Sequence, residues 1–432
     1  MKRPVVITLL IVALALVCVG IGAVIFFAIN NGFATNISFD TPRVSAEAEE
    51  IKTLNVEGPV ALKVFDESGD VIVTGAEVEK VTVQVVKKGF GTTQARAEEA
   101  LKNIQYEIEQ NGDTITLTYE YPDVRNQIFE QVDFIVTVPV ETKVNVDSSI
   151  GEVSVEGVQG QVVIDNDFGD ITVEKVDGAL EVKTNSGRVD VVSVKAGTGN
   201  IDLYSGFGTI SLGQVSGAGI KVQSNSGKLE LENVRATKAM ELSSDFGNVE
   251  FETGSANSLD VKTQSGAVTI TSISVTGELT VKDDFGDINL EQVKAASYDV
   301  ETNSGSIIVD GVKGQVRAHT GFGNITIKSA EEVTVDLFTQ SGSIDFSGTL
   351  GEGPHTVHSD FGEIELNIPA DSALNVDLQT EFGKIISDIP ITVTLSGEIK
   401  QDQQAGTMNG GGASLKVDTN SGNITIRASS TK

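Results

Sequence analysis

Cysteine is almost absent from this 432-residue chain, and Cys18 is its single copy. It lies inside an apolar stretch, so no disulfide framework can hold the rest of the chain. Lipid attachment at Cys18 would call for a small residue just before it, yet Leu16 and Val17 stand there. Tryptophan is missing and tyrosine numbers 5, which removes the usual aromatic platforms of a carbohydrate-binding groove. Histidine is confined to His319, His355 and His358. The last two sit three apart beside Pro354 with no cysteine or third histidine near them, too few donors for a zinc centre. No Ser-His-Asp set can be assembled, because the serines recur at regular corners with no histidine to activate them. Glycine groups such as Gly348, Gly351 and Gly353 precede no helix, so they do not read as phosphate loops. Basic residues are outnumbered 31 to 61, giving a formal charge of -30. Such a surface stays soluble and repels nucleic acid and anionic lipid.

What the chain has in abundance is glycine, 45 residues of it, much of it at a fixed rhythm. Glycines at 151, 169, 187, 208, 227, 247, 266, 286, 305, 323, 342, 362, 383 and 422 each open a small corner followed two residues later by Ile, Val or Leu. The spacing is 18 to 21 residues until one long final gap. The corners alternate in kind. Phe168-Gly169, Phe207-Gly208, Phe246-Gly247, Phe285-Gly286, Phe322-Gly323 and Phe361-Gly362 interleave with Ser186-Gly187, Ser226-Gly227, Ser265-Gly266, Ser304-Gly305 and Ser341-Gly342. A fixed short period of this kind is the signature of a solenoid.

Within one unit, Ile171 and Val173 alternate with polar residues, Val176 follows, Asp177-Gly178 interrupts, and Leu180 and Val182 resume the alternation. That reads as two short strands and two turns with one face buried. So little apolar area cannot stabilise a unit alone, and neighbours must stack about 4.8 Å apart. The fold class expected is all-β: a β-solenoid, or right-handed β-helix, with about 19 to 20 residues per rung. A 39-residue rung is the rival; it would bring Phe168 beside Phe207, whereas the shorter rung puts the Ser186 corner between them. Glycine at the corners suits bends of positive φ, and the corner phenylalanines are expected to form an internal stack spaced along the rod.

The chain divides further by pattern. Residues 5 to 29 are uncharged and apolar, preceded by Lys2 and Arg3, long enough to cross a bilayer with some tilt. The flanking charges place the N-terminus in the cytoplasm and the bulk outside; a cleaved signal peptide is the competing reading. Residues 31–43 read as a tether, and 44–146 as a strand-rich capping domain with one helix over about 93–103, where Ala97, Leu101 and Ile104 share a face. The solenoid is expected over 147–428, with an irregular excursion at about 387–413 that is either a protruding loop or a distal cap, and a short tail at 429–432.

A strand ending in Ile135-Val136-Thr137-Val138-Pro139, then Gly151-Glu152-Val153, Phe168-Gly169-Asp170-Ile171-Thr172-Val173 and their successors through Ile426, follow an N-terminal apolar segment. This order resembles a bacterial putative-adhesin domain family of cell-envelope β-helix proteins. The resemblance covers nearly all of the chain beyond the apolar segment, and its motif is structural. The family name implies adhesion, and no catalytic residue comes with the resemblance.

Asp283, Asp284 and Asp287 invite comparison with the carboxylates of polysaccharide-degrading β-helices. The same slots hold Asp167 and Asp170, Asp245 and Asn248, Asp360 and Glu363 in other units, which marks a corner device and not a unique site. Acidic corners could attract calcium loosely, but the nine-residue spacing of calcium-binding β-rolls is missing. The expectation is a non-enzymatic, membrane-anchored extracytoplasmic solenoid with no dedicated cofactor or metal. Its partners would be the membrane through the N-terminal helix and an envelope polymer or membrane protein, with an envelope-stress or regulatory accessory as the alternative role.

Overall fold

The computed structural model describes residues 44–120, 130–393 and 402–429. The apolar segment at residues 5 to 29 and the tether lie outside them. Among the described residues no helix is long and apolar enough to cross a membrane.

The repeats stack as one parallel β-solenoid with a rung of about 19 residues. Each rung carries a longer strand, such as Val162–Phe168, and a shorter one, such as Ile171–Glu174, joined by the glycine corner. Every longer strand pairs in parallel with its equivalents one rung away: Ile164 lies beside Val182, Val182 beside Leu203, and Leu203 beside Val222. The shorter strands do the same, Ile171 beside Val189 and Val189 beside Ile210. Phe168 is paired with Ser186, and Ser186 with Phe207, so the rung is the shorter of the two considered.

Period-two alternation turns these aliphatic residues inward, where they form one continuous interior. Ile171, Ile210 and Ile288 are all fully buried in it. A third apolar row, Val176, Val194, Val215 and Val234, closes the section behind the second turn. Each such side chain contributes about 1.5–3 kcal/mol on burial. Size is balanced locally: Phe251 occupies a Leu or Val slot of its row, and Gly254 replaces the valine of the third row, where a Cβ would come within 2.6 Å of the Phe251 ring.

Both ends of the stack are covered. At the first, Val60–Asp66 joins the longer-strand row in parallel with Thr142–Ile150 and Thr114–Tyr119, while Val71–Ala76 joins the shorter row beside Val153–Glu156 and Glu130–Pro139. Lys80–Gly91 pairs antiparallel with Glu130–Pro139, and Val44–Asn55 pairs antiparallel with the far edge of Lys80–Gly91. The helix Gln94–Asn103, capped by the Thr93 side chain, lies on Lys80–Gly91 and buries Ala97 and Ala100. Gly89 and Gly91 permit this approach, since a Cβ on Gly89 would sit 2.4 Å from the Leu101 nitrogen. Ile104 is buried after the helix ends, and the next strand starts at Glu107.

At the far end the chain leaves sequence order. After the rung His355–Phe361 and Ile364–Pro369 it runs to the outermost position with Leu374–Phe382. The excursion then lays Gln403–Met408 antiparallel along Leu374–Phe382, covering the exposed edge. Only afterwards does Ala413–Ser421 slide between His355–Phe361 and Leu374–Phe382, parallel to both. Within the excursion, Gln403–Met408 thus caps this end.

Candidate functional site

The glycine corners organise everything on this face. At Gly187 a Cβ would lie 1.9 Å from the carbonyl oxygen of Gly169 on the rung below, and at Gly169 it would lie 1.8 Å from that of Gly151. Close stacking of backbone on backbone excludes a side chain here. Positive φ is the lesser reason, because the angles, +146° and +158° at these two, border on extended backbone.

Three residues before most of the corner glycines an inward side chain bonds to the corner below. Ser244 Oγ donates to Gly227 O at 3.0 Å, Thr320 to Gly305 O at 2.9 Å, Ser359 to Gly342 O at 2.9 Å and Thr380 to Gly422 O at 2.8 Å. All four are buried. This hydroxyl row escaped the sequence reading, although a Ser or Thr three places before the glycine recurs in almost every unit. Asp283 occupies the same slot with a carboxyl, and burial pushes its pKa up to about 6 against the pull of backbone N–H donors from Phe285 and Asp284. Asp66, on the first rung, is pushed up to about 8 by burial.

The residue after the glycine of several phenylalanine corners binds the backbone of the rung above. Asp170 Oδ1 accepts from Arg188 N at 2.8 Å, Asp287 from Ser306 N at 2.8 Å and Asn324 from Ser343 N at 2.9 Å. Residues just before the Phe or Ser pair amide to carboxylate: Asn185 donates to Asp167 at 2.5 Å, Gln264 to Asp245 at 3.0 Å, Asn303 to Asp284 at 2.8 Å and Asn420 to Asp360 at 3.0 Å. Asp284 and Asp287 therefore serve two separate ladders between rungs, while Asp283 turns inward and accepts from Phe285 N of its own corner at 3.2 Å. Among the described residues no group of three or more His, Cys, Asp or Glu could hold a metal ion.

The corner phenylalanines are not an internal stack. Phe168 is 55% exposed, Phe207 65%, Phe285 64% and Phe382 76%, with Phe246, Phe322 and Phe361 between these values. Inward alternation stops at the hydroxyl, and the tight bend swings the next residue of that parity outward. Along the rod the row reads Ile150, Phe168, Ser186, Phe207, Ser226, Phe246, Ser265, Phe285, Ser304, Phe322, Ser341, Phe361, Ser421, Phe382. Phenylalanine and serine still alternate at the far end, because the displaced last rung supplies Ser421 between Phe361 and Phe382. Phenylalanines two rungs apart recur at about 9.6 Å.

The histidines take separate places. His355 is buried, its pKa lowered by desolvation, with Nε2 3.1 Å from Gly351 O. His358, on the outward side of the same strand, contacts Asp418 and lies 3.1 Å from Asp360. Its ring stacks on Phe338 at 5.4 Å, and Phe338 meets His319 at 5.6 Å. The two histidines that sequence spacing linked therefore face opposite ways, whereas His319 and His358 share one column.

No curated protein matches the chain. Among solved structures, a putative adhesin from Bacteroides fragilis is 16% identical, covering 65% of this chain and 96% of its own, with a TM-score of 0.27. A putative adhesin from Parabacteroides distasonis is 14% identical over 69% of this chain and 97% of its own, with a TM-score of 0.28. A putative cell adhesion protein from Clostridium sporogenes is 10% identical over 89% and 100%, with a TM-score of 0.19. The Toastrack DUF4097 family model matches residues 61–317 and again 247–427. Spanned by these two matches from the first rung to the last, the chain belongs to the Toastrack DUF4097 family.

Proposed function

We propose that this chain is a non-catalytic binding surface, an acidic solenoid carried outside the cytoplasm on its N-terminal apolar segment and used for structural or adhesive contact at the cell envelope. The observation that carries this reading is the exposed row of corner phenylalanines. Monomeric surfaces rarely leave more than a few hundred Å² of contiguous apolar area to water, and larger patches mark interaction sites. Here the apolar groups stand at equal intervals on a backbone locked from rung to rung, so a partner meets the same contact many times. Many weak, equal contacts suit avidity better than a single deep pocket would. The test is retention of the full chain, in mild detergent, on envelope fractions. Replacing Phe246, Phe285 and Phe322 by serine should reduce retention at least tenfold, and undiminished retention would overturn the reading.

A further inference from the structure

We propose that the phenylalanine row binds a second copy of this chain, antiparallel and offset by one rung, so that each phenylalanine seats in a serine notch. This rests on the reading of the row as the binding face and names its partner. The row alternates large and small residues with a strict two-rung period, so a copy of itself has the matching period by construction. A two-fold axis lying in the interface between the Ser265 and Phe285 rungs brings Phe285 of one copy onto Ser265 of the other, and Phe322 onto Ser226. Such a contact is isologous and closes as a dimer. It uses the whole row, since Ile150 at one end meets Phe382 at the other.

Charge selects the same offset. The residue before each corner is a carboxylate on most phenylalanine rungs and an amide on most serine rungs. The one-rung offset sets Asp284 against Gln264, Asp245 against Asn303 and Asp360 against Asn185, and it places Arg188 against Glu363. An in-phase pairing, Phe on Phe, would oppose Asp to Asp in a chain of charge -30. Area agrees as well. Seven phenylalanines, mostly more than half exposed, each with about 200 Å² of surface, offer on the order of 900 Å², against about 800 Å² per partner in a standard stable interface.

The experiment is oxidative cross-linking of the full chain, solubilised in mild detergent, in a Cys18→Ser background. Ser226→Cys with Phe322→Cys, five rungs apart within one copy, should give a band of doubled mass without reductant, whereas Ser226→Cys with Ser186→Cys should not. Adding Phe246→Ser and Phe285→Ser should lower the cross-linked fraction at least tenfold. Absence of the doubled band in the first pair, or equal yield from the second, overturns the proposal. A chain that stays single yet is retained on envelope polymer through its phenylalanines would sink self-pairing alone and leave the proposed function standing; loss of both would sink both.

Discussion

Ser421 lies in register beside Phe361, and Phe382, which the chain visits first, lies one rung beyond. The interior partners of this inserted rung are Val417 and Ile424, both fully buried. A charge placed there must lose water without gaining a partner. In Val417→Asp, hydrogen exchange should speed up in Leu374–Phe382 and His355–Phe361 while Val162–Phe168 keeps its protection, because a solenoid couples mainly nearest neighbours. Uniform loss of protection along the rod would contradict this.

Exposure sets the cost of changing the corner phenylalanines. Phe246→Ser installs what neighbouring rungs already carry, so thermal unfolding should change by no more than about 0.5 kcal/mol. Leu242→Ala, four residues earlier and 1% exposed, should cost about 2–5 kcal/mol. Comparing the two melting curves checks which way Phe246 faces.

Among glycines, geometry separates the indispensable from the replaceable. Gly187→Ala forces a Cβ to 1.9 Å from a backbone oxygen that the adjoining rungs hold in place. A loss of more than about 3 kcal/mol is expected, at the diagnostic end of single substitutions. Gly112→Ala, whose Cβ would meet nothing within 4 Å, carries only the strain of φ +60°, about 1 kcal/mol. Denaturant midpoints of the two variants decide it.

Asp283 makes stability depend on pH. Its folded pKa of about 6 exceeds the ordinary 3.8, so between those values the folded chain binds more protons than the unfolded one and stability falls as pH rises. Asp283→Thr restores the hydroxyl used by neighbouring rungs. It should raise the melting temperature at pH 7.5 and leave it nearly unchanged at pH 3.5. Asp66, raised to about 8, acts with the same sign over a wider window, so a residual slope above pH 6 should remain in Asp283→Thr and vanish on adding Asp66→Ser.

Much of this architecture was readable from residues alone, because period-two aliphatics and glycine corners are local signals that the stack merely repeats. Ile171, Val182 and Ile210 lie where alternation puts them. The facing of Phe168 was not readable that way. Counting by twos from Val162 places it inward, and only the bend after Asn166 turns it out; the clue was the serine on every other rung, since a packed interior does not accept serine and phenylalanine interchangeably in one slot. The insertion of Ala413–Ser421 was invisible too, because strand order is a long-range property, although two successive Phe-Gly corners at 361 and 382 hinted at a missing neighbour.

The out-of-sequence rung also constrains how the molecule is made. As synthesis proceeds, Leu374–Phe382 emerges before both strands it pairs with, Gln403–Met408 and Ala413–Ser421, so the outer edge of His355–Phe361 waits for its native partner until residues 413–421 arrive. Any product halted in between would carry that edge open, ready to capture a strand from elsewhere.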